Sequence, residues 1–506
     1  MDVLTSLYNG FLIVLTWQNL TYCFLGVLVG TLIGVLPGLG PAATIVILMP
    51  ATYYLNPTSG LIVLAGVVYG AMYGGSTTAI LVNIPGETAS IMTCIDGYKM
   101  ALQGRAGAAL GIAAFGSFIG GTISVLGLAF TSTILGGIAL RFGPPEYFAL
   151  IFLCFSVLMY LSSGSMIKAA IIAVVGFFLG TIGMDMFTGE LRFTYGSLTL
   201  MDGMGLVPVV MGVFGISEVL ANIETEMEVT VTKQIPKLRH LLPNLQDWRD
   251  SIPPIFRGTL IGFLLGLLPG GGFVMASFTS YAVERRISKH PERFGKGAIE
   301  GVAGPETANN AATGGAFIPL FILGLPFNVV TAILLGAMIM YGLRPGPLIL
   351  STDPGFFWGV IVSMYVGNAM LLVLNMPMIG LWVKLLKVPY ALLLPLIVIF
   401  CLIGVFSINL NISEIYVMLL FGVIGYLLRK FEYDAAPLIL AMVLGPMYEN
   451  ALRQSLILSD GSYFIFLARP ISAVCLVIAV LLLIVPHIPQ VAFWRKKAIE
   501  EASEDY

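Results

Sequence analysis

Apolar residues fall in long blocks along this chain, near residues 10–36, 41–55, 58–82, 106–140, 146–161, 166–188 and 203–222. A polar, charged stretch follows at 223–254. The blocks then resume at 256–283, 311–341, 355–386, 389–407, 412–428, 434–452 and 470–487. A helix that crosses a bilayer needs roughly 20 apolar residues, so the blocks read as membrane-embedded helices, and 106–140 is long enough for two passes. Counting the long blocks twice gives about a dozen embedded elements. The expected fold is an all-α polytopic membrane protein. It comprises a first membrane repeat over 1–222, a cytoplasmic polar link over 223–254, a second membrane repeat over 255–490 and a polar tail over 491–506.

The word "repeat" rests on one stretch that returns. GVLVGTLIGVLPGLGP begins at Gly26, and GTLIGFLLGLLPGGG begins 232 positions later at Gly258. Gly26, Gly30, Gly34, Pro37, Gly38 and Gly40 find their partners in Gly258, Gly262, Gly266, Pro269, Gly270 and Gly272. Glycines four apart share one helix face and let another backbone approach closely. The following Pro-Gly-x-Gly then stops the helix. Apolar helices broken at matching positions of two halves point to a binding site in a secondary transporter, with inverted topology expected. Residues 257–283 are expected to form a re-entrant hairpin whose Pro-Gly-Gly-Gly tip stays inside the membrane, since each arm is too short to span; a single kinked crossing is the alternative.

Composition sharpens this. The chain has 506 residues, 58% hydrophobic and 10% charged, with a mean hydropathy of +0.95. Ordinary soluble domains carry about 25% charged residues, so a water-soluble protein is excluded. Net charge is −2, which gives nucleic acid nothing to bind. The five cysteines are scattered through apolar segments without a CxxC and read as packing residues. The N-terminus carries Asp2 and no basic residue, unlike a cleaved signal peptide. Lys and Arg concentrate in Glu284–Lys296, at Arg429-Lys430 and at Arg495-Lys496-Lys497, which assigns those segments to the cytoplasm.

Behind each break lies a second polar, glycine-rich stretch, Tyr69–Ser90 and Glu300–Asn328, with Gly74-Gly75 before Pro85 and Gly314-Gly315 before Pro326. They hold Ser76, Thr77, Thr78, Asn83 and Glu87 in the first half. Glu306, Thr307, Asn309, Asn310 and Thr313 lie in the second, with Ser277 nearby. Backbone N–H groups at broken-helix N-termini suit a carboxylate ligand. Carbonyls, hydroxyls and amides suit Na⁺, and a carboxylate suits a proton. The candidate substrate and ion site therefore comprises Pro37, Gly38, Gly40, Gly75, Ser76, Thr77, Thr78 and Asn83. From the second half it takes Pro269, Gly270, Gly271, Gly272, Ser277, Glu306, Asn309, Asn310, Thr313 and Gly314. The same side chains also serve for interhelical hydrogen bonding. No metal site, cofactor or catalytic residue is expected: His240, His290 and His487 lie in loops or at a segment end, and no strand precedes the Gly-x-Gly spacings. Arg344, Asp96 and Asp185 read as interfacial.

On the motifs GVLPGLGP (34–41), YGGSTTAILVNIPGE (73–87), GLLPGGGFVMASFTSYAVE (266–284), SKHPERFGKGAIEGVAGPETANNAATGGAFIPL (288–320) and LGLP (323–326), the chain resembles the large membrane subunit of the tripartite tricarboxylate transporters, the TctA family. The resemblance covers most of the chain. It implies a multi-pass carrier of the bacterial inner membrane that imports citrate or another carboxylate on an Na⁺ or H⁺ gradient. It also implies a small four-helix membrane subunit and a periplasmic solute-binding protein as partners. A stand-alone carrier and a passive channel are the alternatives. Copurification of the small subunit and dependence on an ion gradient tell them apart.

Overall fold

The computed structural model describes residues 3–36, 40–161, 165–224, 241–270, 272–385 and 390–485. It is helical almost throughout. Among the described residues, a two-residue ladder pairing Gly183 with Arg192 and Met184 with Leu191 is the one sheet. Seven helices are long and apolar enough to cross a bilayer among the described residues. Ten helices position the site: α1 (Trp17–Val35), α2 (Pro41–Thr52), α3 (Pro57–Val82), α4 (Ile91–Leu102), α5 (Ala106–Ala139), α6 (Leu245–Gly266), α7 (Gly272–Ile287), α8 (Glu300–Ile318), α9 (Val329–Met340) and α10 (Pro354–Asn375).

The helices break where the glycine-proline motifs stand. α1 stops at Val35 and α2 starts with Pro41, a position where the missing proline N–H has no intrahelical partner to lose. α6 stops at Gly266, and the chain turns through Gly270 at φ +94° into α7. The glycine faces then act as predicted from their spacing. Gly26, Gly30 and Gly34 lie against the backbone of Val63, Val67 and Ala71, and Gly258, Gly262 and Gly266 lie against Gly304, Ala308 and Ala312. A Cβ on Gly30 would fall 2.5 Å from the Val67 carbonyl oxygen, and one on Gly258 equally close to that of Gly304. Both numbers rise together in each series, so α1 runs parallel to α3, and α6 parallel to α8.

The intervening helix must therefore double back. Arg257 of α6 pairs with Glu284 near the end of α7 at 2.5 Å, while Gly266 and Gly272 adjoin at the turn. Residues 257–270 and 272–283 are the two arms of a helical hairpin, the first continuing a helix of 22 residues. α2 likewise ends where α3 begins: Tyr341 donates to the Thr52 carbonyl at 2.8 Å and packs on Gly60.

α3 and α8 form the centre. Every residue of Ser59–Val82 and of Gly301–Ile318 is buried, the pattern of helices enclosed on all sides. They cross antiparallel, since Ser76 meets Glu306 at one end of the contact and Tyr69 stacks on Phe317, centroids 6.1 Å apart, at the other. The two hairpins consequently enter from opposite ends. Each central helix is stopped by a left-handed residue, Asn83 at φ +60° and Gly324 at φ +66°, followed by Pro85 or Pro326. Each then restarts through a capping box, Glu87 with Ser90 and Asn328 with Thr331.

Two readings change. The block 106–140 is one continuous helix of 34 residues, because no proline or left-handed residue interrupts it. α6 begins at Leu245, inside the stretch read as a polar link, and is started by an Asn244–Asp247 capping box. Pro253 and Pro254 lie within it, so its apolar block starts later than the helix. Asp96, near a segment end, is fully buried within the protein. It accepts from the Gly297 and Ala298 N–H groups and from the Tyr281 hydroxyl, all at 2.8 Å. Residues 225–240, the tail 491–506, His240, His487 and the Arg495-Lys496-Lys497 cluster lie outside the described residues.

Candidate functional site

The two second motifs meet where α3 crosses α8. Glu306, in the second turn of α8 and 0% exposed, accepts the Ser76 hydroxyl of α3 at 2.5 Å on one carboxylate oxygen. Its other oxygen accepts the Thr93 hydroxyl of α4. One turn on, Asn309 donates through Nδ2 to Glu87 Oε1 at 3.0 Å. Residues at i, i+3 and i+4 share a helix face, so Glu306, Asn309 and Asn310 present one polar stripe to the first half.

Local rules bring Glu87 there. α3 cannot continue past Asn83 and Pro85. Gly86 passes directly against the Gly34 carbonyl, where no side chain would fit. Glu87 then caps the Thr88–Ser90 turn, its Oε2 accepting from Ala89 N at 2.7 Å. A carboxylate at a helix start is favoured by the exposed N–H groups, which leaves Oε1 free for Asn309. Gly75 packs closely beside it, since a Cβ there would lie 3.0 Å from Glu87 Cγ.

Among the described residues, the hydrogen bonds to these two carboxylates come from hydroxyls, an amide and a backbone N–H. Asn310 ties α8 to α5 by donating to Ser117 Oγ at 2.7 Å. Tyr73 donates to Asn368 of α10 at 2.5 Å. The side-chain oxygens of Asn309 and Asn310 and the hydroxyls of Ser277 and Ser280 are buried without a hydrogen-bond partner. A cavity of about 10 Å³, room for roughly one water molecule, is lined by Tyr73, Ser76, Thr77 and Asn375 among others. No group of three His, Cys, Asp or Glu that could hold a metal ion occurs among the described residues.

The expected site residues thus divide. Ser76, Glu306 and Asn309 come together, with Gly75 and Asn310 supporting them and Thr77 on the cavity. Ser277 lies on α7, which packs against the Thr88–Ser90 turn. Other residues serve the fold. Thr78 donates to the Val35 carbonyl at 2.7 Å, Thr313 to its own helix at 3.4 Å, and Gly314 packs on Ser124. Asn83 is the exposed left-handed cap of α3. Gly40 caps α2 with open space beside it. Pro269, Gly270 and Gly272 shape the second hairpin tip, where Gly270 N donates to the Phe327 carbonyl at 2.8 Å. Pro37, Gly38 and Gly271 lie outside the described residues. Thr93 was not among the expected residues. Its signal is Ser90, Thr93 and Asp96 at helical spacing, all buried.

The profile described as "Tripartite tricarboxylate transporter TctA family" matches residues 20–440. An uncharacterized 52.8 kDa protein in the TAR-I ttuC' 3' region of Agrobacterium vitis is 48% identical over 501 residues, 99% of each chain. An uncharacterized protein in the TAR-II ttuC' 3' region of the same organism is 48% identical over 240 residues, which is 47% of this chain and 99% of that one. No solved structure matches.

Proposed function

The chain belongs to the tripartite tricarboxylate transporter TctA family, and from that premise we propose that it is the large transport subunit of a binding-protein-dependent secondary transporter. In this reading it imports a tricarboxylate or related carboxylate on an Na⁺ or H⁺ gradient. A small four-helix membrane subunit accompanies it in the bacterial inner membrane, and a periplasmic solute-binding protein delivers the substrate. The observation that carries the reading is the buried centre where Ser76, Thr93 and Asn309 surround two carboxylates at the crossing of two enclosed helices. Such groups in an apolar bundle are expensive and mark transport paths.

We read the two halves as inverted repeats. In support, α3 and α8 run antiparallel, and the broken hairpins beside them point in opposite directions, an arrangement typical of alternating access. Orientation follows from charge. Lys99, Arg105, Lys168, Arg257, Lys296 and Arg429 gather at the end where α5 begins, against Arg141, Arg192, Arg344, Arg453 and Arg469 at the other. The richer end is cytoplasmic. Glycine faces keep helices close and permit one bundle to move as a rigid body past the other.

Glu306→Gln or Asn310→Ala is expected to abolish uptake of labelled carboxylate into proteoliposomes holding both membrane subunits, with binding protein outside and an inward Na⁺ or H⁺ gradient. Membrane abundance should be unchanged. Wild-type uptake that ignores the binding protein and the gradient would overturn the transporter class; normal uptake in both variants would overturn the site.

A further inference from the structure

We propose that Glu87 and Glu306 form a centre for one monovalent cation, Na⁺ or a proton, and that an anionic substrate binds away from it. The proposal deepens the transporter reading and rests on it for its role in coupling. Asn309 is one turn from Glu306 on α8 and donates to Glu87, which brings the two carboxylates against the same face of α8. Both are buried, at 8% and 0% exposure. Two negative charges so placed away from water demand a compensating positive one.

Among the described residues the hydrogen-bond donors to the two carboxylates are Ser76, Thr93, Asn309 and the Ala89 N–H, all neutral. Arg257 holds Glu284 through two nitrogens. Glu284 lies against Gly304, which is roughly 200° around α8 from Glu306 at about 100° per residue. That pair is closed on the opposite face. Of the remaining titratable groups on the packed elements, Glu300 stands in the first turn of α8. Tyr69 and Tyr73 belong to α3. On α4, Cys94 is a thiol, Asp96 is satisfied by Gly297, Ala298 and Tyr281, and Lys99 lies in the last turn. α7 adds Arg285 and Arg286 in its own last turn. At the far start of α6 Asp247 pairs with Arg105.

A second, independent observation points to a ligand. Asn309 Oδ1, on the same amide that touches Glu87, is fully buried and accepts nothing. Ser277 lies unpartnered on α7, which packs against the Thr88–Ser90 turn, whereas Ser280 faces Gly304 beside Glu284. An oxygen-only set of two carboxylates, an amide and hydroxyls is hard-donor chemistry, suited to Na⁺ or, on a carboxylate, to a proton. A di- or tricarboxylate would meet like charge there and no cationic partner.

The test uses the full chain purified in nanodiscs without substrate or partners. Its unfolding midpoint is followed against Na⁺, with choline holding ionic strength, and between pH 6 and pH 8. Wild type should gain stability with log Na⁺ if Na⁺ is the occupant. If a proton is, stability should be greater at pH 6, fall as pH rises, and ignore Na⁺. The Glu87→Gln/Glu306→Gln double variant should lose whichever dependence wild type shows. Should it fail to fold, Glu306→Asp should keep the dependence with at least a tenfold shift in the effective cation concentration. A flat wild type, or an unaltered dependence in the variants, overturns the cation centre. Citrate that stabilises wild type in choline and not the double variant overturns the exclusion of the anion. None of these readings needs transport, so they stand apart from the fate of the uptake experiment.

Discussion

The two sides of the α3–α8 crossing share their helix stops and caps and carry opposite chemistry. Residues 241 apart play the same structural part: Asn83 and Gly324 end the central helices, Pro85 and Pro326 bar their continuation, and Glu87 and Asn328 cap the next helical turns. Gly74 meets the Thr31 carbonyl as Gly315 meets that of Phe263. Carried across this correspondence, Ser76 falls on Phe317, Glu306 on Ala65, Thr93 on Leu334 and Asn309 on Val68. These four counterparts are all apolar and at most 1% exposed. One side is an acidic, hydroxyl-lined centre and the other is packed hydrocarbon. Backbone geometry alone therefore does not make the site; the polar substitutions on one side do.

The largest expected effect tests the shared part. Gly30→Val and Gly262→Val each force a branched side chain into a facing backbone, at Val67 and at Ala308. Neither helix can retreat, because α3 and α8 are enclosed. Overpacking of this kind costs about 1–3 kcal/mol, and more where the obstacle is backbone, and both variants should lose monodisperse protein on size exclusion from detergent. Tolerance of one substitution and not the other would show that the two scaffolds bear unequal loads.

The unshared part is tested next. Thr93→Val keeps the shape and removes the hydroxyl, leaving one oxygen of a buried carboxylate without its donor. About 1–3 kcal/mol of stability should be lost, along with uptake. At the counterpart, Leu334→Val removes one methylene from an apolar contact, about 1 kcal/mol, and uptake should persist. Thermal unfolding and proteoliposome uptake on the same two preparations decide it. Equal loss of uptake in both would mean that the apolar side is functional too.

Legibility in the sequence divides along the same line. The helix breaks, the glycine faces and the 257–283 hairpin were readable because each is a local, periodic signal. Ser76, Glu306 and Asn309 were readable as polar groups in apolar surroundings. Thr93 was not, since its helix is short and its importance comes from a contact 213 positions away. Thr78 and Thr313 look like ligand groups in sequence, and in the structure their hydroxyls donate to main-chain carbonyls of α1 and α8. Composition cannot distinguish a hydroxyl held by its own backbone from one offered to a ligand. The continuous helix Ala106–Ala139 follows a related rule: a long apolar block reads as two passes by length alone, and the lack of an interrupting proline or left-handed residue makes it one.

The smallest effect separates cap from ligand at the two left-handed positions. Asn83 and Gly324 hold nearly the same backbone angles, which any residue with a Cβ adopts at about 1–2 kcal/mol unless it is Asn or Asp. Gly324→Ala should therefore lose at least that much, because its new Cβ would also approach the Pro345 carbonyl oxygen to 2.6 Å. Asn83→Ala should lose about 1 kcal/mol. Asn83→Gly should leave stability within about 0.5 kcal/mol of wild type, since glycine adopts the same angles without strain. Uptake should then be normal in Asn83→Gly, because the exposed amide makes no contact with the acidic centre. Uptake lost in that variant at full stability would return Asn83 to the substrate path and make the left-handed cap a functional position on one side of the crossing only.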